Sequence, residues 1–226
     1  MRTYKILPFL VVTLLSGCSK ISTTEEDKKS VETIQQFYGG RIETNKGVEA
    51  INGHSDNYFE VIIRGSKLID SQPQRAISNT ANIAFMVYEN QDAETYDVVK
   101  SKIILPDGTN ISKSYSKKEL QEVKAIYPEI EKFNKFLTSK NYTGILEMFD
   151  PKFRPDEKLV RNTLTSFDSD MGHIKRIQFQ GFEFIDDAKL GHTILVREVS
   201  ERNNTFPFVN IVFNRETRKV LNIEFP

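Results

Sequence analysis

Three residues that lie close together in the chain, Asp168, Asp170 and His173, could carry acid–base chemistry. A carboxylate beside an imidazole can act as a general base when apolar surroundings raise its pKa toward neutrality. The phenylalanine-rich segment that follows these residues could supply such surroundings. The same pattern also suits a helix end followed by a turn, where Asp, Ser and Gly are favoured because they satisfy backbone groups. Both interpretations stay open.

The sequence favours no metal site. Asp168 and Asp170 resemble the opening of a calcium loop, but the twelfth position of such a loop is Phe179, which cannot supply the closing carboxylate. The three histidines are far apart in sequence, and a chain with one cysteine can build neither an internal disulfide nor a thiolate metal site. We therefore expect no resident metal ion.

Motifs for cofactors and nucleophilic catalysis are missing from the sequence. It contains no Gly-x-Gly-x-x-Gly pattern, no phosphate-binding loop ending in Gly-Lys-Ser/Thr, and no Gly-x-Ser-x-Gly nucleophile elbow. The sequence gives no reason to expect a nucleotide cofactor or a hydrolase triad, and we predict no cofactor.

The beginning of the chain predicts export from the cytoplasm. Arg2 and Lys5 precede an apolar run of ten residues, 6–15, which is shorter than the roughly 20 residues that a membrane-spanning helix needs. A basic start, a short apolar centre and small residues before a cleavage site are typical of a secretory signal peptide. We assign residues 1–17 to this signal peptide.

The end of this leader, Leu15-Ser16-Gly17-Cys18, resembles the lipobox of bacterial lipoproteins. The resemblance implies cleavage between Gly17 and Cys18, a diacylglyceryl group on the cysteine thiol and acylation of the new amino terminus. Several acyl chains hold a protein firmly on a membrane, whereas one chain binds only weakly. Ser19 resembles the default for sorting to the outer membrane, so we expect the periplasmic face of that membrane over the inner membrane. The alternatives are a plain signal peptide with a chance cysteine and a buried cysteine in a cytosolic domain.

Composition and charge describe an ordinary folded protein. Hydrophobic residues make up 38% of the chain, and its 31 basic and 31 acidic residues balance. A neutral chain without a basic stripe lacks the electrostatic attraction that nucleic-acid binding requires. We expect no nucleic-acid partner.

The pattern of elements predicts an α+β fold with two small domains after a lipidated, disordered tether at residues 18–29. In the first domain, residues 30–115, a helix capped by Ser30 and a later helix alternate with hairpin strands, which predicts an antiparallel sheet. In the second, residues 116–226, a Ser-x-x-Glu capping box at Ser116 starts a helix that Pro128 should break or kink. Four strands follow, with a bulge expected at Gly181.

Helices followed by four antiparallel strands, spanning about residues 127–226, resemble the cone-shaped fold of the ketosteroid isomerase and nuclear transport factor two superfamily. That resemblance implies a curved sheet around a helix and an apolar cavity, which serves catalysis in some members and binding in others. Five phenylalanines of the strand region are candidates to line such a cavity, although they could equally form plain core: Phe182, Phe184, Phe206, Phe208 and Phe213.

These observations predict a lipid-anchored envelope protein of a bacterium that binds and does not catalyse. Its partner would be an apolar small molecule or another envelope protein. One alternative is a cone-fold enzyme that uses Asp168, Asp170 or His173 for proton transfer or hydrolysis. Another is a purely structural envelope spacer, which should have neither a pocket nor an exposed apolar patch.

Overall fold

A computed structural model describes residues 23–51, 54–91, 95–203 and 205–225 of the chain. The first half consists of three α-helices, a 3-10 turn at Pro73–Arg75 and four strands: α1 (Glu25–Tyr38), β1 (Arg41–Ile51), β2 (His54–Arg64), α2 (Lys67–Asp70), α3 (Ala76–Asn90), β3 (Val98–Ile104) and β4 (Asn110–Ser116). The second half consists of three helices and then four strands: α4 (Lys117–Thr138), α5 (Tyr142–Met148), α6 (Glu157–Met171), β5 (Arg176–Asp187), β6 (Gly191–Glu201), β7 (Phe208–Asn214) and β8 (Val220–Glu224). The predicted α+β class is confirmed.

The first sheet has the order β1-β2-β3-β4 and is mixed. Strands β2 and β3 are parallel, while the pairs β1–β2 and β3–β4 are antiparallel. The expectation of a wholly antiparallel sheet is therefore wrong. The reason is α3, which carries the chain across the sheet between β2 and β3, and such a crossover leaves the two strands parallel.

The second sheet is the antiparallel meander β5-β6-β7-β8 that the sequence predicts. Its β5–β6 register shifts between Phe179 and Gly181, which confirms the expected bulge. Gly181 adopts a φ of +131°, and a Cβ atom there would overlap the carbonyl oxygen of Ser78 in α3. The bulge glycine thus lets α3 approach the backbone of β5 directly.

Helix α3 joins the two halves through one hydrophobic core. The ring centre of Phe85 in α3 lies 5.4 Å from that of Phe179 in β5. The ring centre of Tyr115 in β4 lies 5.4 Å from that of Phe182 in β5. Buried residues from both sheets and from α1, α3, α4 and α5 belong to one contiguous cluster. The first sheet ends at Ser116 and the second follows later in the chain, but the hydrophobic core is continuous between the two halves.

Helix α1 begins at Glu25, earlier than the sequence suggests. Thr24 and Asp27 form a capping box, and the Asp27 side chain is 1% exposed. Asp27 also accepts hydrogen bonds from Lys46, Gln91 and Tyr96. Burial opposes ionisation of Asp27, but these bonds and those of Thr24 outweigh it and lower its pKa. The predicted tether at residues 18–29 is therefore wrong for residues 25–29, because these partners from distant segments order them.

Helix α4 runs through Pro128 without a break. Ser116 and Glu119 cap its first turn as predicted, and apolar residues on one face are buried: Leu120, Val123, Ile126, Ile130, Phe133 and Leu137. This buried stripe stabilises the helix on both sides of the exposed proline. The expected break at Pro128 is wrong.

Candidate functional site

Asp168, near the end of α6, is held by two cations. Its carboxylate lies 2.8 Å from Arg202 Nη1 and 2.7 Å from Lys140 Nζ. Burial raises the pKa of Asp168, but hydrogen bonds and attraction from Lys140 and Arg202 outweigh it, so the pKa lies below its usual value. Arg202, whose side chain is 2% exposed, also donates to the carbonyl oxygen of Gly172 at 2.6 Å. The cluster ties the ends of α4, α6 and β6 together.

The other two residues of the predicted acid–base group do not complete a catalytic site. Asp170 is exposed, and His173, with its side chain 77% exposed, lies 3.5 Å from Asp168. None of the three lines any of the cavities described below. A general base needs apolar surroundings that stabilise its neutral form, whereas Asp168 is stabilised in its charged form. The geometry therefore does not favour the enzyme hypothesis.

The five candidate phenylalanines do not come together around one cavity. Phe182 and Phe213 are fully buried in the shared core. Phe184 is half-buried beneath Arg215, whose guanidinium lies 4.6 Å from the ring centre. Phe206 and Phe208 line a different surface, near α2 and the start of α3.

An apolar cavity of about 240 Å³ lies instead between the three helices α4, α5 and α6 and the last strand. We call it the helix cavity. Its walls include Phe133 of α4, Ile145 of α5 and Leu164 of α6. Phe149, Phe153, Pro155, Leu159, Val160, Thr163, Leu221, Asn222, Ile223 and Phe225 complete its lining. A dry cavity of about 150 Å³ already accepts benzene, so this space suits a small apolar molecule.

The local sequence explains why the helix cavity stays open. Asp156 caps α6, and Leu159, Val160 and Leu164 of this helix face the cavity, yet Leu164 is the one buried residue of the helix within the described chain. Leu159 at the rim is 61% exposed. An apolar helix face that its own protein leaves partly uncovered is typical of a binding surface. The helical spacing of Leu159, Val160, Thr163 and Leu164 was the available signal in the sequence, but sequence alone did not place α6 opposite β8.

Strand β6 also carries a buried carboxyl group, that of Glu198, which the sequence did not lead us to expect. Its side chain is 1% exposed and accepts one hydrogen bond, from Asn134 Nδ2 of α4 at 2.8 Å. Its second oxygen, Oε2, has no hydrogen-bond partner within the described chain. The pKa of Glu198 is raised to about 7, because burial raises it and the hydrogen bond from Asn134 lowers it by a smaller amount. The signal was strand alternation, because Glu198 continues the buried series Ile194 and Val196.

The lipobox and the signal peptide, including Gly17 and Cys18, lie outside the described residues. Across those that are described, no helix combines the length and apolarity needed to cross a bilayer, and no three His, Cys, Asp or Glu side chains gather as metal ligands. Comparison with known proteins found no family model, no curated protein and no solved structure that matches the chain.

Proposed function

We propose that this chain is a lipid-anchored protein of the bacterial cell envelope that binds a small apolar molecule in the helix cavity and performs no catalysis. The observation that carries the binding role is the cavity itself, about 240 Å³ and lined mostly by apolar side chains. Ligand pockets are concave, mostly apolar and few per protein. The anchor is proposed from Leu15-Ser16-Gly17-Cys18 and its leader alone.

The size of the cavity limits the ligand. Pockets for drug-sized molecules begin at roughly 300 Å³, so the helix cavity suits a single ring system or a short acyl segment. Among the described residues, Asn222 and Thr163 are its polar lining residues, and no charged side chain lines it. A neutral ligand with at most one or two hydrogen-bonding groups fits this lining.

Retention of small molecules by the purified protein tests the binding role. We would purify the full chain from bacterial membranes into nanodiscs, extract it with solvent and quantify apolar compounds per protein by mass spectrometry. Val160→Phe fills the cavity from α6, whereas Asn162→Phe adds the same ring on the exposed side of that helix. We expect wild type and Asn162→Phe to retain the same compound in similar amounts. The amount per protein should be at least about tenfold lower in Val160→Phe. Equal compound profiles in all three proteins would contradict the binding role.

Intact mass tests the anchor separately. Expressed in a bacterium that processes lipoproteins, the wild-type chain should lose residues 1–17 and gain the mass of two or three acyl chains on Cys18. Cys18→Ser should show neither change. Wild-type protein that keeps Met1 and a free thiol would contradict the proposed lipid anchor.

A further inference from the structure

A groove separate from the helix cavity surrounds one arginine. It runs from α1 and α2 past the Pro73–Arg75 turn to the strands β5, β6 and β7, and we call it the arginine groove. Two adjoining cavities of about 680 and 320 Å³ form it, and both are lined by Arg75, Asn79 and Gln180. The groove shares no lining residue with the helix cavity.

Arg75 presents a cation that has no counter-charge among the described residues. Its guanidinium lies 3.2 Å from the centre of the Phe208 ring, and the side chain is half-buried. In the part of the chain that the structure describes, no carboxylate lies within ion-pair distance of Arg75. The other arginines of the groove differ, since Arg197 pairs with Glu183 at 2.9 Å and Arg176 with Glu201 at 3.4 Å. The groove therefore carries one uncompensated positive charge.

The remaining lining combines free amides with exposed apolar groups. Five glutamine side chains line the groove, and none of them forms a hydrogen bond within the described chain: Gln36, Gln72, Gln74, Gln178 and Gln180. A carboxamide offers both donors and an acceptor, which is the combination that a peptide backbone requires of a partner. Phe206 and Leu68, 62% and 44% exposed, supply apolar contact surface.

We propose that the arginine groove binds a short acidic peptide segment of a partner protein. Arg75 would hold a carboxylate of the peptide through paired N–H bonds, and the stack on Phe208 fixes the guanidinium plane for that contact. The glutamines would bond to the peptide backbone, and Phe206 and Leu68 would contact its apolar side chains. Arginine and aromatic residues are the groups that dominate binding at protein interfaces.

Selection from a random peptide library tests the proposal. Phage that display random 12-residue peptides are selected on the full wild-type chain in nanodiscs, and selected sequences are then synthesised. We expect peptides that carry Asp or Glu beside apolar residues. Replacing the acidic residue of the peptide by its amide should weaken binding at least about tenfold, and Arg75→Ala should do the same.

Two further variants separate binding from folding. Phe206→Ser changes an exposed side chain and should weaken peptide binding without altering the melting temperature of the protein. Arg161→Ala removes an arginine from α6, where it pairs with Glu157, and should bind like wild type. The proposal is overturned if no acidic peptides are selected, if Arg75→Ala binds them as wild type does, or if Arg75 instead mediates binding to vesicles of phosphatidylglycerol. These outcomes do not bear on ligand binding in the helix cavity, so the two proposals can fail separately.

Discussion

At the residue scale, Glu198 links stability to pH. The folded-state pKa of about 7 lies above the ordinary value of 4.5, so the folded protein binds this proton more tightly than the unfolded chain does. The contribution of Glu198 to stability is therefore greatest below pH 4.5, falls as the pH rises from 4.5 to about 7, and is constant above that.

Glu198→Gln should remove this pH dependence while it keeps the acceptor for Asn134. We expect the variant to be more stable than wild type by about 3 kcal/mol at pH 8 and equal to it near pH 4. Urea unfolding at both pH values measures the difference. Glu216→Gln, an exposed change in the β7–β8 turn, is the control and should shift stability little at either pH. If the free energies of unfolding of the variant and of wild type were equal from pH 4 to 8, the raised pKa of Glu198 would be contradicted.

Asp168 and Asp170 form a matched pair on α6. Asp168→Asn removes the carboxylate that faces the buried guanidinium of Arg202, and we expect a loss of roughly 3 kcal/mol because that charge stays buried. Asp170→Asn alters an exposed side chain and should stay within about 0.5 kcal/mol of wild type. Chemical denaturation at pH 7 compares them. Equal stability of both variants would show that the Asp168 cluster does not hold α6 in place.

At the element scale, the chain shows which local signals are reliable. The capping box at Ser116 and the bulge at Gly181 were predictable because their hydrogen bonds and backbone angles involve neighbouring residues. The start of α1 was not, because Asp27 is stabilised by Lys46 and Tyr96 from distant segments. A polar composition predicted disorder there, but composition does not report such long-range partners.

Gly181 and Gly191 separate the two effects of a glycine at positive φ. Both lie in that region, at +131° and +77°, but a Cβ at Gly181 would overlap Ser78 whereas one at Gly191 meets open space. We expect Gly191→Ala to cost about 1 kcal/mol, from backbone strain alone. Gly181→Ala should cost roughly 3 kcal/mol or more, because α3 must also move away from β5. Thermal unfolding of the two variants checks this, and similar losses would refute close α3–β5 packing.

At the scale of the whole molecule, the shared core should make unfolding cooperative. Helix α3 contacts both sheets, so neither sheet can separate without exposing buried side chains of the other. We expect scanning calorimetry of the full chain to show one transition whose calorimetric and van't Hoff enthalpies agree. Two resolved transitions would indicate that the halves fold independently.

The whole-molecule arrangement was also the part that the sequence predicted least. The helix and strand patterns indicated the α+β class and the second meander, because periodicity is local. The parallel β2–β3 pair and the helix cavity depend on which elements meet in space, and Phe133, Leu164 and Phe225 gave no local sign that they share one wall. For the same reason, the sequence grouped five phenylalanines around one cavity, whereas Phe206 and Phe208 line the arginine groove and the other three do not.

The ordered start of α1 sets the reach of the molecule. Thr24 follows Cys18 by six positions in the chain, and an extended chain advances at most about 3.5 Å per residue. With the proposed anchor at Cys18, the start of the folded part at Thr24 would stay within roughly 20 Å of the lipid surface. Phe37, which lines the arginine groove, lies further along α1, and a helix advances about 1.5 Å per residue, so the groove would stay within roughly 40 Å of that surface and a partner would have to bind it there.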